Sequence, residues 1–248
     1  MQNGVRRVLS FLEDGLFPRA AVCLLCGDPR HAQMQNCLCP DCRKALNRLR
    51  LRDNLCLRCM TPLDEHGRCS FCASGAMEGL HEAFAAFYHR GMARELVMQL
   101  KYQYCDEAAD ALAAAMAECV PLGRYDALVP VPLHRRRERM RGANQAAVLC
   151  QRLSPRLGLP VLPLLTRVRE TKEQASLKRS DRLRNVQDAF ALSGDAHGLR
   201  LLVVDDVRTT GATARSCAGV LTLGGARQVG VLTATLAAHD GGKDKNNG

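Results

Sequence analysis

The stretch LRLLVVDDVRTTGATARS, residues 199–216, constrains the fold of this chain more than any other segment. Five of its first six residues are apolar, which is typical of a strand buried on both faces. Asp205 and Asp206 follow, then a loop of small and hydroxyl residues, then a helical run. A strand that passes through a short loop into a helix is the repeating unit of an α/β fold with a parallel sheet.

The chain from residue 81 onward alternates in the same way. Apolar segments are separated by segments with helical periodicity or an alanine-rich composition. We predict strands at 83–90, 126–133, 188–192, 199–205 and 227–236, a short strand or extended stretch at 159–165, and helices at 92–102, 106–119, 143–158 and 211–223. The alternation predicts a parallel sheet with helices on both faces and a ligand beyond the carboxyl ends of the strands.

The distribution of cysteine divides the chain. Nine of the 13 cysteines lie between residues 23 and 72, and four are scattered over the rest. We predict an N-terminal helix and cysteine module at 1–80, an α/β domain at 81–238 and a disordered tail at 239–248. No apolar run reaches the roughly 18–20 residues that cross a bilayer, and the basic start resembles a short amphipathic helix rather than a signal peptide. We therefore expect a cytoplasmic protein without membrane insertion.

Eight cysteines form four CxxC pairs, and this spacing lets two thiolates of one tight turn bind the same ion. The pairs are Cys23/Cys26, Cys39/Cys42, Cys56/Cys59 and Cys69/Cys72. Four thiolates complete a tetrahedral zinc shell, so the pattern favours two sequential structural zinc sites. The spacing leaves open an interleaved pairing, iron of the rubredoxin type and a redox dithiol. Cys37 is surplus to either arrangement.

Positive charge is concentrated in two segments of the second part of the chain. The formal net charge is +10. Residues 133–141 hold five arginines and one glutamate, and residues 167–184 hold seven basic and three acidic residues. Such clusters suit phosphates or nucleic acid, although a solvated basic surface accounts equally for any single arginine.

The loop after Asp206 has the composition of an anion site. Its backbone N–H groups and the following helix N-terminus form a cradle, and the loop threonines add hydroxyl donors. Gly211 permits close approach of the backbone. Two carboxylates repel a phosphate, but they accept hydrogen bonds from a pair of vicinal hydroxyls. A phosphate beside a diol describes a ribose 5-phosphate.

The segment VVDDVRTTGAT resembles the phosphoribosyl pyrophosphate (PRPP) motif of type I phosphoribosyltransferases. The resemblance implies that Asp205 and Asp206 hold the ribose hydroxyls. It assigns the 5′-phosphate to Thr209, Thr210, Gly211, Ala212 and Thr213. The CxxC pairs, LKY at 100–102, VPVPLHRRRERMRGANQ at 129–145 and QASLKRSDRLRNVQDAF at 174–190 also occur in the order seen in ComF-family proteins. This second resemblance covers residues from about 20 to 238.

The two resemblances imply binding of PRPP with Mg²⁺, and action with single-stranded DNA during DNA uptake, where a helicase or a recombination protein is a candidate partner. They also imply a hood at 167–187 that closes over the site. The basic candidates for the pyrophosphate are Lys101, Arg135, Arg136 and, in the hood, Lys178, Arg179 and Arg182. Two alternatives stay open: a phosphoribosyltransferase with an unknown acceptor, and a PRPP sensor without catalysis. No residue stands out as a catalytic base.

Overall fold

A computed structural model describes residues 22–29, 37–102, 105–168 and 189–237 of the chain. The strands, in chain order, are β1 (Ala83–Tyr88), β2 (Ala127–Pro130), β3 (Leu165–Arg167), β4 (Phe190–Leu192), β5 (Arg200–Arg208) and β6 (Gln228–Leu236). The helices are α1 (Pro40–Asn47), α2 (Ser70–Ala73), α3 (Gly91–Tyr102), α4 (Asp106–Ala117), α5 (Arg135–Arg141), α6 (Gln145–Leu157) and α7 (Ala212–Leu223). Strands and helices alternate after residue 81, as the sequence predicts.

Four parallel strands form the central sheet in the order β1–β6–β5–β2. Successive residues of a strand face opposite sides of the sheet. On β5, Leu202 and Val204 pack with α3, α4 and α6, whereas Leu201 and Val203 pack with α7. All four of these side chains are fully buried. The predicted α/β fold, with a parallel sheet and helices on both faces, is confirmed.

The cysteine-rich region packs against the sheet domain at two places. Cys42 and Leu46 of α1 join the core that contains α3 and α4. Cys59 and Phe71 join the opposite core, which contains α7. The region therefore shares its apolar contacts with both faces of the sheet, and the boundary at residue 80 stays a prediction.

Strand β5 is longer than predicted and carries the two aspartates within the sheet. It continues to Arg208 because β6 runs to Leu236 and supplies a partner along the whole length, with Asp205 opposite Thr233. The aspartates thus occupy the carboxyl edge of the sheet as strand residues, not as the first residues of a loop. Rigid strand pairing fixes their backbone positions.

The basic segment 133–141 contains a helix, α5, that the sequence analysis missed. Its five arginines show no apolar periodicity, which is the main helix signal. The ends are nevertheless capped: the His134 ring accepts a hydrogen bond from Arg136 N at 3.4 Å, and Gly142 ends the helix at φ +65°. The predicted extended stretch at 159–165 contributes a single bridge, Val161 to Leu128, before β3 begins.

Several predictions fall on residues outside the described ranges. They are the N-terminal helix, the tail and most of the hood, including Lys178, Arg179 and Arg182. The hood segment is flanked by β3 and β4, which pair antiparallel, with Arg167 opposite Phe190. Within the described ranges, every helix is too short or too polar to cross a membrane.

Candidate functional site

The loop between β5 and α7 leaves the first turn of α7 available to an anion. Gly211 is the N-cap residue, at φ +75°, and makes no side-chain hydrogen bond to the helix. The first N–H groups of a helix have no acceptor within the helix, so they bind anions where the cap leaves them accessible. Thr209 and Thr213 line a cleft beside this turn. The Thr210 hydroxyl turns inward and accepts from Ala212 N at 3.5 Å.

The two aspartates border the same cleft and differ in their surroundings. Asp206 is 8% exposed, and its Oδ2 lies 2.7 Å from Nζ of Lys101. Asp205 has no such cation within ion-pair distance among the described residues, and its Oδ1 accepts from Asp206 N at 2.9 Å. Burial, together with the negative charge of Asp206, raises the pKa of Asp205 to about 7. The pair therefore offers two acceptors, one of which titrates near neutral pH.

A histidine that the sequence analysis did not select also lines the cleft. His89 follows β1, and its Nδ1 lies 2.9 Å from the hydroxyl of Thr235. That hydroxyl donates to the carbonyl oxygen of Asp206 at 3.3 Å. Burial, and then the charge of Lys101, lowers the pKa of His89. Only the parallel register of β1, β6 and β5 brings these three residues together, so no local sequence motif indicates their interaction.

The cleft has a volume of about 490 Å³ and a strongly basic lining. The cations that border it, besides Lys101, are Arg137, Arg141 and Arg167. The guanidinium of Arg141 lies over the ring of Tyr102, 5.4 Å from its centroid. A volume of this size matches ordinary small-molecule sites. Positive charge in the same cleft as the two aspartates suits a ligand with both hydroxyl and phosphate groups.

The predicted pyrophosphate residues are distributed unequally around this cleft. Lys101 lies inside it, paired with Asp206. Arg136 lies on the exposed side of α5, and the side chain of Arg135 is not among those described. Arg137 and Arg141 face the cleft instead, because residues four apart share one face of a helix. Recognising α5 as a helix would have selected them from the sequence.

The first cysteine cluster consists of Cys23, Cys26, Cys39 and Cys42. Their four sulfurs lie within 4.8 Å of one another, and Sγ of Cys26 and Cys39 are 3.9 Å apart. Backbone N–H groups of Cys39 and Cys42 point at cluster sulfurs, each at 3.4 Å. Tetrahedral bonds of about 2.3 Å from zinc to sulfur place the sulfurs about 3.8 Å apart. The observed spacing fits a single ion.

The second cysteine cluster consists of Cys56, Cys59, Cys69 and Cys72. Its sulfurs also lie within 4.8 Å, with separations of 3.8 Å for Cys56 and Cys72 and 3.4 Å for Cys59 and Cys69. The four CxxC pairs therefore group sequentially, and the interleaved arrangement is excluded. Each cluster is compatible with zinc binding through four sulfurs.

A parallel α/β sheet with an aspartate pair at its carboxyl edge, followed by a threonine–glycine loop and a helix N-terminus, defines a domain like the type I phosphoribosyltransferases. The glutamine PRPP amidotransferase from B. subtilis is similar in structure, with a TM-score of 0.39 and 18% sequence identity over 56% of this chain and 30% of that one. No family model matches the sequence.

Sequence comparison identifies closer relatives. The DNA utilization protein YhgH of Escherichia coli K12 is 33% identical over 203 residues, which cover 78% of this chain and 88% of that protein. YhgH of Salmonella typhi is 40% identical over 144 residues, 55% of this chain and 63% of the relative's length. Competence protein ComFC of Bacillus subtilis is 29% identical over 77% of this chain and 68% of its own. The chain belongs to this ComF family of competence and DNA utilization proteins.

Proposed function

We propose that the chain binds PRPP and acts with single-stranded DNA in DNA uptake or use. The observation that carries the PRPP part is the position of Asp205 and Asp206 next to the loop at 209–213, inside a basic cleft. In this proposal the carboxylates accept hydrogen bonds from the ribose diol, and the loop amides and threonines hold the 5′-phosphate. In the same proposal Lys101, Arg137 and Arg141, which line the cleft, bind the pyrophosphate, for which Mg²⁺ supplies charge neutralisation when bound.

The DNA part rests on the relatives and on the charge of α5. The relatives are a DNA utilization protein and a competence protein. Arg136 and Arg139 are exposed on α5, the helix whose Arg137 and Arg141 line the cleft. Tyr102 is 55% exposed and lies beside Arg141. The ring of Tyr102 offers an aromatic face to an unstacked base. A DNA-uptake helicase or a recombination protein is the candidate partner for this role.

We further propose that each cysteine cluster holds one structural zinc. Four sulfurs fill a tetrahedral shell and leave no position for a substrate, so the metal's contribution is to stability. None of the described cysteines forms a disulfide. Cysteines without disulfides and thiolate metal sites are typical of a reducing compartment, which supports the proposed location in the cytoplasm.

The decisive experiment is titration of Asp206→Asn with PRPP and Mg²⁺, and separately with sulfate. A charge-assisted hydrogen bond is worth roughly 1.5–3 kcal/mol, so PRPP affinity should fall by about 10- to 150-fold. Sulfate has no diol and should bind as well as before, or better, because a negative charge has gone. Asp126→Asn is the matched control, since Asp126 is also ion-paired, to Arg200, but lies at the opposite edge of the sheet. Parallel loss of both ligands in Asp206→Asn would contradict the proposal.

The DNA part is tested by the salt dependence of binding to single strands. Replacing Arg136 and Arg139 by glutamine should flatten the slope of log affinity against log salt by up to about 1.4, two phosphates' worth. Arg52→Gln with Arg227→Gln removes the same charge from exposed sites outside α5 and should change the slope less. An equal change in both double variants would point to charge in general and not to α5.

A second candidate function is phosphoribosyl transfer to a small acceptor. His89 favours it, because its lowered pKa leaves a neutral imidazole in the cleft at neutral pH. Release of pyrophosphate from PRPP by the wild-type protein, and its reduction in His89→Gln with unchanged PRPP affinity, would support catalysis. PRPP binding without turnover in the presence of DNA would favour a sensor.

A further inference from the structure

Arg208 is a buried cation whose partners lie in the second cysteine cluster. It is the last residue of β5 and is 2% exposed. It immediately precedes the loop at 209–213, which is called the phosphate loop below after its proposed role. Its Nη2 donates to the backbone carbonyl of Cys59, and its guanidinium lies over the Phe71 ring, 4.6 Å from the centroid. In the described part of the chain, Nε and Nη1 have no hydrogen-bond partner, and no carboxylate forms an ion pair with Arg208.

A buried guanidinium without a carboxylate requires another source of negative charge. Arg208 contacts this cluster directly, because it binds the carbonyl of the ligand Cys59 and lies over Phe71, which is flanked in the chain by the ligands Cys69 and Cys72. Four thiolates around one divalent ion carry a net charge of about −2. A metal-loaded second cluster therefore supplies the counter-charge for Arg208, and Arg208 in turn stabilises the loaded cluster.

The same cluster supports the phosphate loop by direct packing. Phe71 lies on α2, between the ligands Cys69 and Cys72. A Cβ on Gly211 would lie 2.7 Å from Cζ of Phe71 and 3.3 Å from the carbonyl oxygen of Ala76, so the loop backbone rests on this ring. Arg215, in the first turn of α7, donates to the carbonyl of Gly75 at 3.2 Å. The segment that contains and follows the second cluster therefore supports the loop through these contacts.

We propose that the second cluster, through Arg208 and Phe71, positions the loop at 209–213, so that anion binding depends on the metal of this cluster and not on that of the first. The first cluster contacts the opposite core, where Gln99 of α3 donates to the carbonyl of Leu24 at 2.9 Å. Arg208 and Phe71 are positioning residues in this scheme. The inference rests on the proposed phosphate-binding role of the loop.

The test compares Cys69→Ser with Cys26→Ser, which each replace one sulfur ligand and leave a hydroxyl. Zinc content, affinity for sulfate and PRPP, and hydrogen exchange of residues 209–215 are measured on each protein. Cys69→Ser should weaken both anions by tenfold or more and speed exchange in the loop. Cys26→Ser should reduce zinc content equally while leaving anion affinity and loop exchange near the wild-type values. Equal effects of the two variants on the loop would overturn the proposal.

Arg208 itself provides the second arm, in case Cys69→Ser does not fold. Arg208→Met keeps the bulk and removes the charge, so a chelator should release about one zinc per chain faster than from wild type while the other is unaffected. Arg208→Lys keeps the charge and should restore slow release at least in part. Unchanged zinc release in Arg208→Met would overturn the link. If wild-type protein bound neither sulfate nor PRPP, the proposed function would fail, whereas zinc release and loop exchange would still decide the coupling.

Discussion

The two cysteine clusters have the same ligands and the same CxxC spacing, but they contact different parts of the fold. The first places Cys23, Cys39 and Cys42 within the helical core beside α3 and α4, on the face of the sheet opposite α7. The second places Cys59 and Phe71 against the loop and α7. Under the zinc proposal, the same metal chemistry would serve different ends, because the first cluster would support the helical core and the second would support the loop at 209–213.

The largest expected effect is on stability, and it tests whether both clusters bind metal at all. Purified protein should contain close to two zinc ions per chain by elemental analysis. Structural zinc contributes roughly 10–16 kcal/mol in zinc-finger peptides, and a loss of only about 4 kcal/mol lowers the melting temperature of a chain this size by about 8–16 °C. Cys23→Ser should lower it more than Cys59→Ser, since the first cluster lies in the larger helical core. One zinc per chain, or iron, would contradict the proposal that each cluster holds one zinc.

A pair of glycine substitutions compares the packing next to the first cluster with the packing next to the second. Gly27 and Gly211 both have φ near +70°, so alanine at either costs about 1–2 kcal/mol in backbone strain. A Cβ at Gly27, beside the first cluster, meets nothing within 4 Å, whereas at Gly211 it meets Phe71. Gly211→Ala should therefore cost about 1–3 kcal/mol more by overpacking and abolish PRPP binding. Thermal melts and PRPP titrations of both variants test this expectation. Equal losses of stability and of PRPP affinity in the two variants would show that the loop does not pack on Phe71.

A pH titration separates the carboxylates from the thiolates. The pKa of Asp205 is raised to about 7, so the folded protein binds a proton that the unfolded chain has lost above about pH 4. The stability that this group contributes is present at acid pH and is lost as the pH rises through about 7. If the diol requires the ionised form, PRPP affinity should rise by about tenfold between pH 6 and 8, while sulfate affinity falls. Asp205→Asn should flatten both curves, and zinc content should stay constant across this range.

The smallest expected effect concerns the link between the first cluster and α3. Gln99→Met removes the hydrogen bond to Leu24 O and should cost about 1 kcal/mol in unfolding free energy. PRPP and sulfate affinity should not change, in contrast to the expected weakening of both in Cys69→Ser. A loss of ligand affinity in Gln99→Met, with the fold intact, would remove the distinction between the clusters.

The sequence alone predicts the parts of the molecule that local patterns encode. Apolar alternation located the strands and helices around the sheet, and the CxxC spacing located both cysteine clusters. Helix α5 was missed because arginine carries no periodic apolar signal, and the cleft residues Arg137 and Arg141 were missed with it. The roles of Lys101 and Arg208 depend on pairs that only the fold brings together, since Arg208 and Cys59 are 149 residues apart. The PRPP residues and the domain boundary remain predictions.

The register between β5 and β6 also determines which ring nitrogen of His89 carries the proton. The Thr235 hydroxyl has one hydrogen, which it gives to the carbonyl of Asp206, so its oxygen must accept from Nδ1–H of His89. The lowered pKa of His89 keeps the ring neutral at pH 7, so its single N–H is the one at Nδ1. Nε2 then carries a lone pair, and the ring is held in one tautomer by a strand that never enters the cleft. His89 lines the cleft, so the sheet fixes Nε2 of a cleft residue as a hydrogen-bond acceptor.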